Sequence, residues 1–163
     1  MGDPDVGPTD PTVFAGEGRA STPHAAPTIV ADRYEILGLL GTGGMGRVYR
    51  ALDRELRETV ALKMLNRDFV GSAEMVERFR QEVRLARRVT HRNVARTFDI
   101  GEHGGEKFLT MELVEGESLS MRVGRGLLPL AETIAIAREI VAGMGAAHAV
   151  GVVHRDLKPD NVL

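Results

Sequence analysis

The sequence predicts an α+β chain, with an antiparallel five-stranded sheet and one main helix in its front half and a mainly helical back half. Three observations carry that reading. Between Tyr34 and Val114, short β-prone runs alternate with Gly-rich or charged turns. One segment of that half, Ser72 to Val89, instead repeats its apolar residues at helical spacing. After a break at Glu115-Gly116 a long Ala-rich segment, Leu130 to about Val150, keeps a helical stripe.

At 163 residues the chain can bury one real core. A net charge of −2 gives no global field for nucleic acid or an anionic membrane. The absence of Cys excludes a disulfide framework, thiolate zinc sites and thiol catalysis. No apolar run reaches membrane-spanning length, and no basic, then apolar, secretory signal opens the chain.

Residues 1–31 hold five of the seven Pro and four Gly among isolated apolar residues. Such a stretch buries too little surface to offset its ordering entropy and reads as a disordered leader. Tyr34-Glu35-Ile36-Leu37-Gly38-Leu39-Leu40 is the first strand, and it runs into the turn Gly41-Thr42-Gly43-Gly44-Met45-Gly46. Arg47 to Leu52 is the second strand, Asp53 to Glu58 a charged connection, and Thr59 to Leu65 the third, giving a meander.

Ser72 is placed to cap the helix, in which Met75, Val76, Phe79, Val83, Ala86 and Val89 share one face. Arg80, Arg84, Arg87 and Arg88 lie on the opposite, solvated face. Val94–Ile100 and Glu106–Val114 complete the five strands around a Gly101–Gly105 turn. Leu119–Val123 is a short helix. In the long helix Thr133, Ile136, Ala137, Ile140, Met144 and Ala147 form the stripe of a core element.

That helix delivers the chain to His154-Arg155-Asp156-Leu157-Lys158-Pro159-Asp160-Asn161. Pro159 forbids ordinary helix and biases Lys158 towards extended backbone. A carboxylate can take a proton, an ammonium can neutralise a phosphate, and an amide oxygen can hold a hard cation. Three such groups on one non-helical loop read as a site.

The glycines Gly41, Gly43 and Gly46 fit G-x-G-x-x-G, which alone is weak. A P-loop would need Lys and then Ser or Thr after Gly46, where Arg47-Val48 stands. A dinucleotide-binding turn would have to open a helix, and β-prone residues follow instead. A hairpin lid whose bare N–H groups lie over phosphates stands against an ordinary Gly-rich hairpin, with the two evenly balanced on this turn alone.

Of the 21 Lys and Arg only three are Lys, at 63, 107 and 158. Two of these, Lys63 and Lys158, stand at the positions where the resemblance described next implies phosphate-binding ammonium groups, a placement with chance odds of about one in seventy.

Taken together, Gly41-x-Gly43-x-x-Gly46-x-Val48, Val60-Ala61-Leu62-Lys63, Glu82 and His154-Arg155-Asp156…Asn161 resemble the protein-kinase signature, in order. The wording Arg33-Tyr34-Glu35-Ile36 and Gly41 to Tyr49 is most similar to eukaryotic-like bacterial serine/threonine kinases. The resemblance covers about residues 32–163. It implies a leader over 1–31, a first lobe over 32–115, and an incomplete second lobe over 116–163 holding the hinge-following segment, long helix and catalytic loop.

It further implies ATP as cofactor with Mg²⁺, or Mn²⁺ in its place, and protein hydroxyls as substrates, autophosphorylation included. The backbone of Gly41, Thr42, Gly43, Gly44, Met45 and Gly46 would cover the phosphates. Lys63 would reach the α- and β-phosphates, held by an ion pair with Glu82, Glu77 being the less favoured partner. Val48, Ala61 and Leu163 would sandwich the base, Met111 would guard the back of its pocket, and Glu112 C=O and Val114 N–H would meet its edge. Asp156 would orient the substrate hydroxyl, Lys158 steady the γ-phosphate and Asn161 bind the metal. Arg155, with Arg78 joining it, would meet a phosphorylated activation loop.

No Asp-Phe-Gly follows Asn161, which implies a fragment that does not catalyse efficiently as it stands. The rival is a pseudokinase or nucleotide-binding scaffold, against which Lys63, Glu82, Asp156, Lys158 and Asn161 are all present. A small-molecule phosphotransferase of similar fold is disfavoured by the Arg155-Asp156-Leu157-Lys158-Pro159 run.

Overall fold

The computed structural model describes residues 29–43, 46–66 and 73–163. Residues 1–28 of the expected leader, the loop tip Gly44-Met45 and the Ser72 cap lie outside the described residues. Strands β1 (Ile29–Val30), β2 (Tyr34–Gly43), β3 (Gly46–Asp53), β4 (Glu58–Leu65), β5 (Thr97–His103) and β6 (Glu106–Glu112) form one antiparallel sheet. Its order is β1-β2-β3-β4-β6-β5.

The strand beyond the five expected is β1, so strand pairing is already present at Ile29, ahead of the expected Asp32. Ala31 and Asp32 take left-handed φ values of 51° and 57°, turning Val30 back against Tyr34. Val30 is fully buried there. Two residues are too short to show a period, so only the tertiary pairing reveals them.

Residues opposite one another in antiparallel strands project to the same side, and alternate residues to opposite sides. One side of the sheet holds the core of Tyr49, Ala51, Val60, Leu62, Met64 and Phe108. Tyr34 meets Phe108 edge to face at 5.7 Å. Full burial of each large side chain contributes about 1.5–3 kcal/mol.

Asp53 pins the end of this core. Its carboxylate accepts from Nε and Nη2 of Arg33 at 3.0 and 2.7 Å, and from the N–H groups of Glu55 and Leu56. Arg33 in turn lies 5.1 Å over the Tyr34 ring. The Arg33 hydrogen bonds, supported by the two backbone donors, hold the Asp53 carboxyl below its ordinary pKa against the opposing effect of burial.

The β5–β6 turn is narrower than the sequence suggests. Only Gly104 and Gly105, with φ of 58° and 78°, form the turn, while Gly101 pairs within the sheet. A Cβ at Gly101 would lie 2.3 Å from the Phe108 ring, so that glycine serves close packing. Strand β5 accordingly begins at Thr97, three residues later than expected, and reaches His103.

Helix α1 spans Ala73–Ala86 and buries Val83. It ends before Val89, which is still buried beyond a turn at Arg87-Arg88. Its exposed face is laced by Glu77 with Arg80 and Arg84.

Helix α2 spans Leu119–Gly124, and the Ser118 hydroxyl caps it by accepting the Met121 N–H at 3.2 Å. Helix α3 spans Leu130–Ala149. Of its expected core stripe only Ala147 is buried; Ile136, Ile140 and Met144 are half-buried, and Thr133 and Ala137 are exposed. Against Gly143 the turn after α1 comes close, and Asn93 Nδ2 donates to Glu139 O at 3.0 Å.

Candidate active site

The side of the sheet opposite the core gathers the residues expected to meet a nucleotide. Register places Val48 opposite Lys63, and Lys63 opposite Leu109. Ala61, two residues from Lys63, stands opposite Met111. Val48, Ala61, Lys63 and Met111 therefore share one face of three adjacent strands. Val48 and Ala61 are 2% and 6% exposed, so this face is sheltered and apolar around one ammonium.

Gly41 pairs with Val48 and Gly43 with Gly46, which closes the Gly-rich hairpin over the end of the same sheet. Gly46 has φ of 150°, and a Cβ there would meet Met64 O at 1.9 Å. Only glycine lets β3 approach β4 so closely. Thr42 is exposed in this hairpin.

Glu112 ends β6; its N–H donates to Arg96 O at 2.8 Å and its carboxylate accepts the Arg96 N–H at 3.0 Å. Val114 follows, 37% exposed. Leu163 is 48% exposed beside Val162, whose carbonyl accepts the Leu119 N–H at 2.8 Å.

Helix α3 delivers the polar loop through a tight C-terminal cap. Gly151, with φ of 81°, donates to His148 O, and Val152 N–H donates to Ala147 O at 3.0 Å. These two bonds form the Schellman arrangement, which satisfies the last carbonyls and reverses the chain. Three residues on, Asp156 N–H donates to His154 O at 2.8 Å around Arg155, whose φ is 61°. This is a γ-turn with positive φ on a non-Gly residue, a form that stores strain and gathers at functional sites.

Beyond it Lys158 is extended, as expected before a proline, and Pro159–Asn161 forms a 3₁₀ turn. The turn brings the three predicted groups together. Asn161 Nδ2 donates to Asp156 O at 2.8 Å and to Asp156 Oδ2 at 3.1 Å. Lys158 Nζ stands 3.3 Å from the same Oδ2. The carboxylate is thus aimed by an amide and an ammonium within six residues of chain.

With its NH₂ group turned to Asp156, the Asn161 amide offers a cation its carbonyl oxygen, a hard ligand suited to Mg²⁺. Among the described residues no cluster of three or more His, Asp or Glu side chains could hold an ion alone. One amide oxygen fits a Mg²⁺ that keeps waters and takes other ligands from phosphate.

The ion pair given to Glu82 is with Arg155, Nη1 to Oε1 at 3.3 Å. Glu77 points to Arg80 and Arg84 on the exposed face of α1. Arg78 pairs with Glu74 at 3.7 Å. Sequence reasoning missed the Glu82–Arg155 contact, since 73 residues separate the partners. It also missed the seat of Asn93 on α3, for which an isolated glycine inside a helical pattern is the only sequence signal.

Residues 34–163 match the protein kinase domain family, and the chain belongs to it. Its relatives narrow the class to bacterial serine/threonine kinases. It is 42% identical to serine/threonine-protein kinase pkn2 of Myxococcus xanthus over 139 residues, covering 85% of this chain and 17% of that protein. It is 38% identical to PknL of Mycobacterium tuberculosis over 136 residues, covering 83% of this chain and 34% of PknL. The crystal structure of the Mycobacterium tuberculosis PknI kinase domain superposes with a TM-score of 0.74 at 28% identity. That match covers 84% of this chain and 57% of the PknI chain, so the present chain spans little more than half of that kinase domain. Among the described residues no helix is long and apolar enough to cross a membrane.

Proposed function

We propose that this chain supplies the nucleotide site and catalytic loop of an ATP-dependent serine/threonine protein kinase. The observation that carries the reading is the convergence of Lys158 Nζ and Asn161 Nδ2 on one oxygen of Asp156. A carboxylate so aimed suits orienting a hydroxyl and accepting its proton, and the ammonium beside it suits a γ-phosphate oxygen. The sheltered face of Val48, Ala61 and Met111 suits a planar base, with Lys63 on that face to meet the α- and β-phosphates.

Asn161 would hold Mg²⁺ through its carbonyl oxygen, with Mn²⁺ as the substitute; when bound, the metal neutralises phosphate charge. Glu112 C=O and Val114 N–H would read the base edge, Leu163 would close on the base, and Gly41–Gly46 would cover the phosphates. Substrates are protein Ser and Thr hydroxyls, autophosphorylation included, in a cytoplasmic setting. The division proposed is a leader over 1–31, whose end adds β1 to the sheet, a first lobe over 32–115 and the opening of a second over 116–163.

Two measurements test this. The chain should bind a fluorescent ADP analogue in the presence of Mg²⁺, and Lys63→Met should weaken that binding. A kinase domain carrying these residues should transfer labelled phosphate from Mg·ATP to itself or to a basic protein. Transfer that persists undiminished in Asp156→Asn would refute the role given to that carboxylate.

A further inference from the structure

Arg50 and Glu115 form an ion pair across the outer edge of the sheltered face. Arg50 stands opposite Ala61, and Ala61 opposite Met111, so the Arg50 side chain leaves the sheet on the same side as Val48, Ala61 and Met111. Its partner on β2 is Gly38, which carries no side chain to crowd it. Arg50 Nη2 donates to Glu115 Oε1 at 3.1 Å, across 65 positions of sequence. Glu115 directly follows Val114 in the connector beyond β6. The bond therefore runs from strand to connector over the rim of the base site, and neither residue has a part in the kinase reading above.

We infer that the Arg50–Glu115 pair is a selectivity bar, which favours adenine nucleotides with a bare C2 edge over those that carry a substituent there. This rests on the kinase reading, in which Glu112 C=O and Val114 N–H meet the base edge. Adenine pairs with these two groups by donating from N6 to the carbonyl and accepting at N1 from the N–H. C2 is the next ring position along the connector, and it faces Glu115.

The connector is held on both sides of the bar. Before it, the Glu112 N–H is tied to Arg96 O at 2.8 Å. Beyond it, Glu117 Oε1 accepts from Arg125 Nη1 at 3.2 Å and lies 3.6 Å from Arg122 Nη1. A group on C2 is therefore accommodated by parting the two side chains, which are 47% and 76% exposed. An ion pair so open to water shifts an equilibrium by about two- to five-fold. The bar tunes selectivity and does not abolish binding.

Competition of ADP and of 2-methylthio-ADP against a ribose-labelled fluorescent ADP, with Mg²⁺, tests this. The proteins are the full chain as wild type, Arg50→Gln, Glu115→Gln and the charge swap Arg50→Glu/Glu115→Arg. Wild type should bind 2-methylthio-ADP about two- to five-fold more weakly than ADP. In each single variant the ratio of the two affinities should fall towards one, and the charge swap should restore it. Raising NaCl from about 0.05 M to about 0.5 M should shrink the ratio in wild type and leave it in place in the single variants, because salt screens an exposed pair.

One ratio shared by all four proteins would overturn the bar while leaving the kinase reading intact. A ratio that falls in Arg50→Gln but not in Glu115→Gln would also overturn it, by assigning the effect to Arg50 alone. Failure of wild type and every variant to bind ADP would overturn both.

Discussion

Two glycines two residues apart on α3 should respond with opposite sign to the same substitution. A Cβ at Gly145 meets nothing within 4 Å, so Gly145→Ala gains only the helix preference, roughly 0.5–1 kcal/mol. A Cβ at Gly143 would lie 2.9 Å from Asn93 O and 3.2 Å from Val94 Cγ2. The first of these is backbone and cannot swing aside. Overpacking costs about 1–3 kcal/mol, and displacing the turn strains the Asn93–Glu139 bond, which adds about 0.5–1.5 kcal/mol. After subtracting the helix gain, Gly143→Ala should destabilise by about 1–3 kcal/mol.

For a chain of this size each kcal/mol moves the melting temperature by about 2–4 °C. Urea unfolding of the two variants beside wild type reads the effect directly, with Gly145→Ala shifting the midpoint up and Gly143→Ala down. If Gly143→Ala stabilised as much as Gly145→Ala, the close seat of the Asn93 turn on α3 would be refuted. With it would go the route by which the sheet half is held against the helix that delivers the polar loop.

Gly46→Ala combines a forbidding φ with backbone contact at 1.9 Å, and should cost roughly 2–5 kcal/mol as well as nucleotide affinity, read by melting and by ADP-analogue titration. Asp53→Asn should cost about 1–3 kcal/mol at neutral pH by loosening the charge-assisted bonds to Arg33. Because the folded-state pKa of Asp53 is depressed, its contribution is complete above the unfolded carboxylate pKa and is lost as pH falls through the folded value. Urea midpoints measured from pH 6 down to pH 3 should therefore fall more steeply in wild type than in Asp53→Asn, and parallel curves would refute the linkage. Asp156→Asn in a kinase domain bearing these residues should lower phosphotransfer by about 10²–10⁴ while leaving ADP-analogue binding in place. Gly151→Ala should shorten or fray α3, since its φ of 81° disfavours a side chain, and amide exchange over Ala147–Ala149 should report it.

The sequence by itself determined the chain's class and most of its elements. Strong periods do not depend on neighbours, so β3, β4, α2 and α3 fall within a residue or two of their expected bounds. The Gly41–Gly46 spacing, Lys63 on an alternating strand, and Asp156, Lys158 and Asn161 on one loop were legible because their geometry is local. Pro159 alone foretold the extended Lys158. Tertiary structure decided what depends on distant partners. It pairs Val30 with Tyr34 in a strand too short to carry a pattern, and keeps Gly101 inside β5 because Phe108 fills the space opposite. It distinguishes Gly143 from Gly145, two glycines alike in sequence context, by the presence of one backbone carbonyl. It also gives Glu82 a partner in Arg155. Hydrophobic period and turn chemistry are short-range properties of the chain. The choice among ion-pair partners is made by whichever charges folding brings within reach.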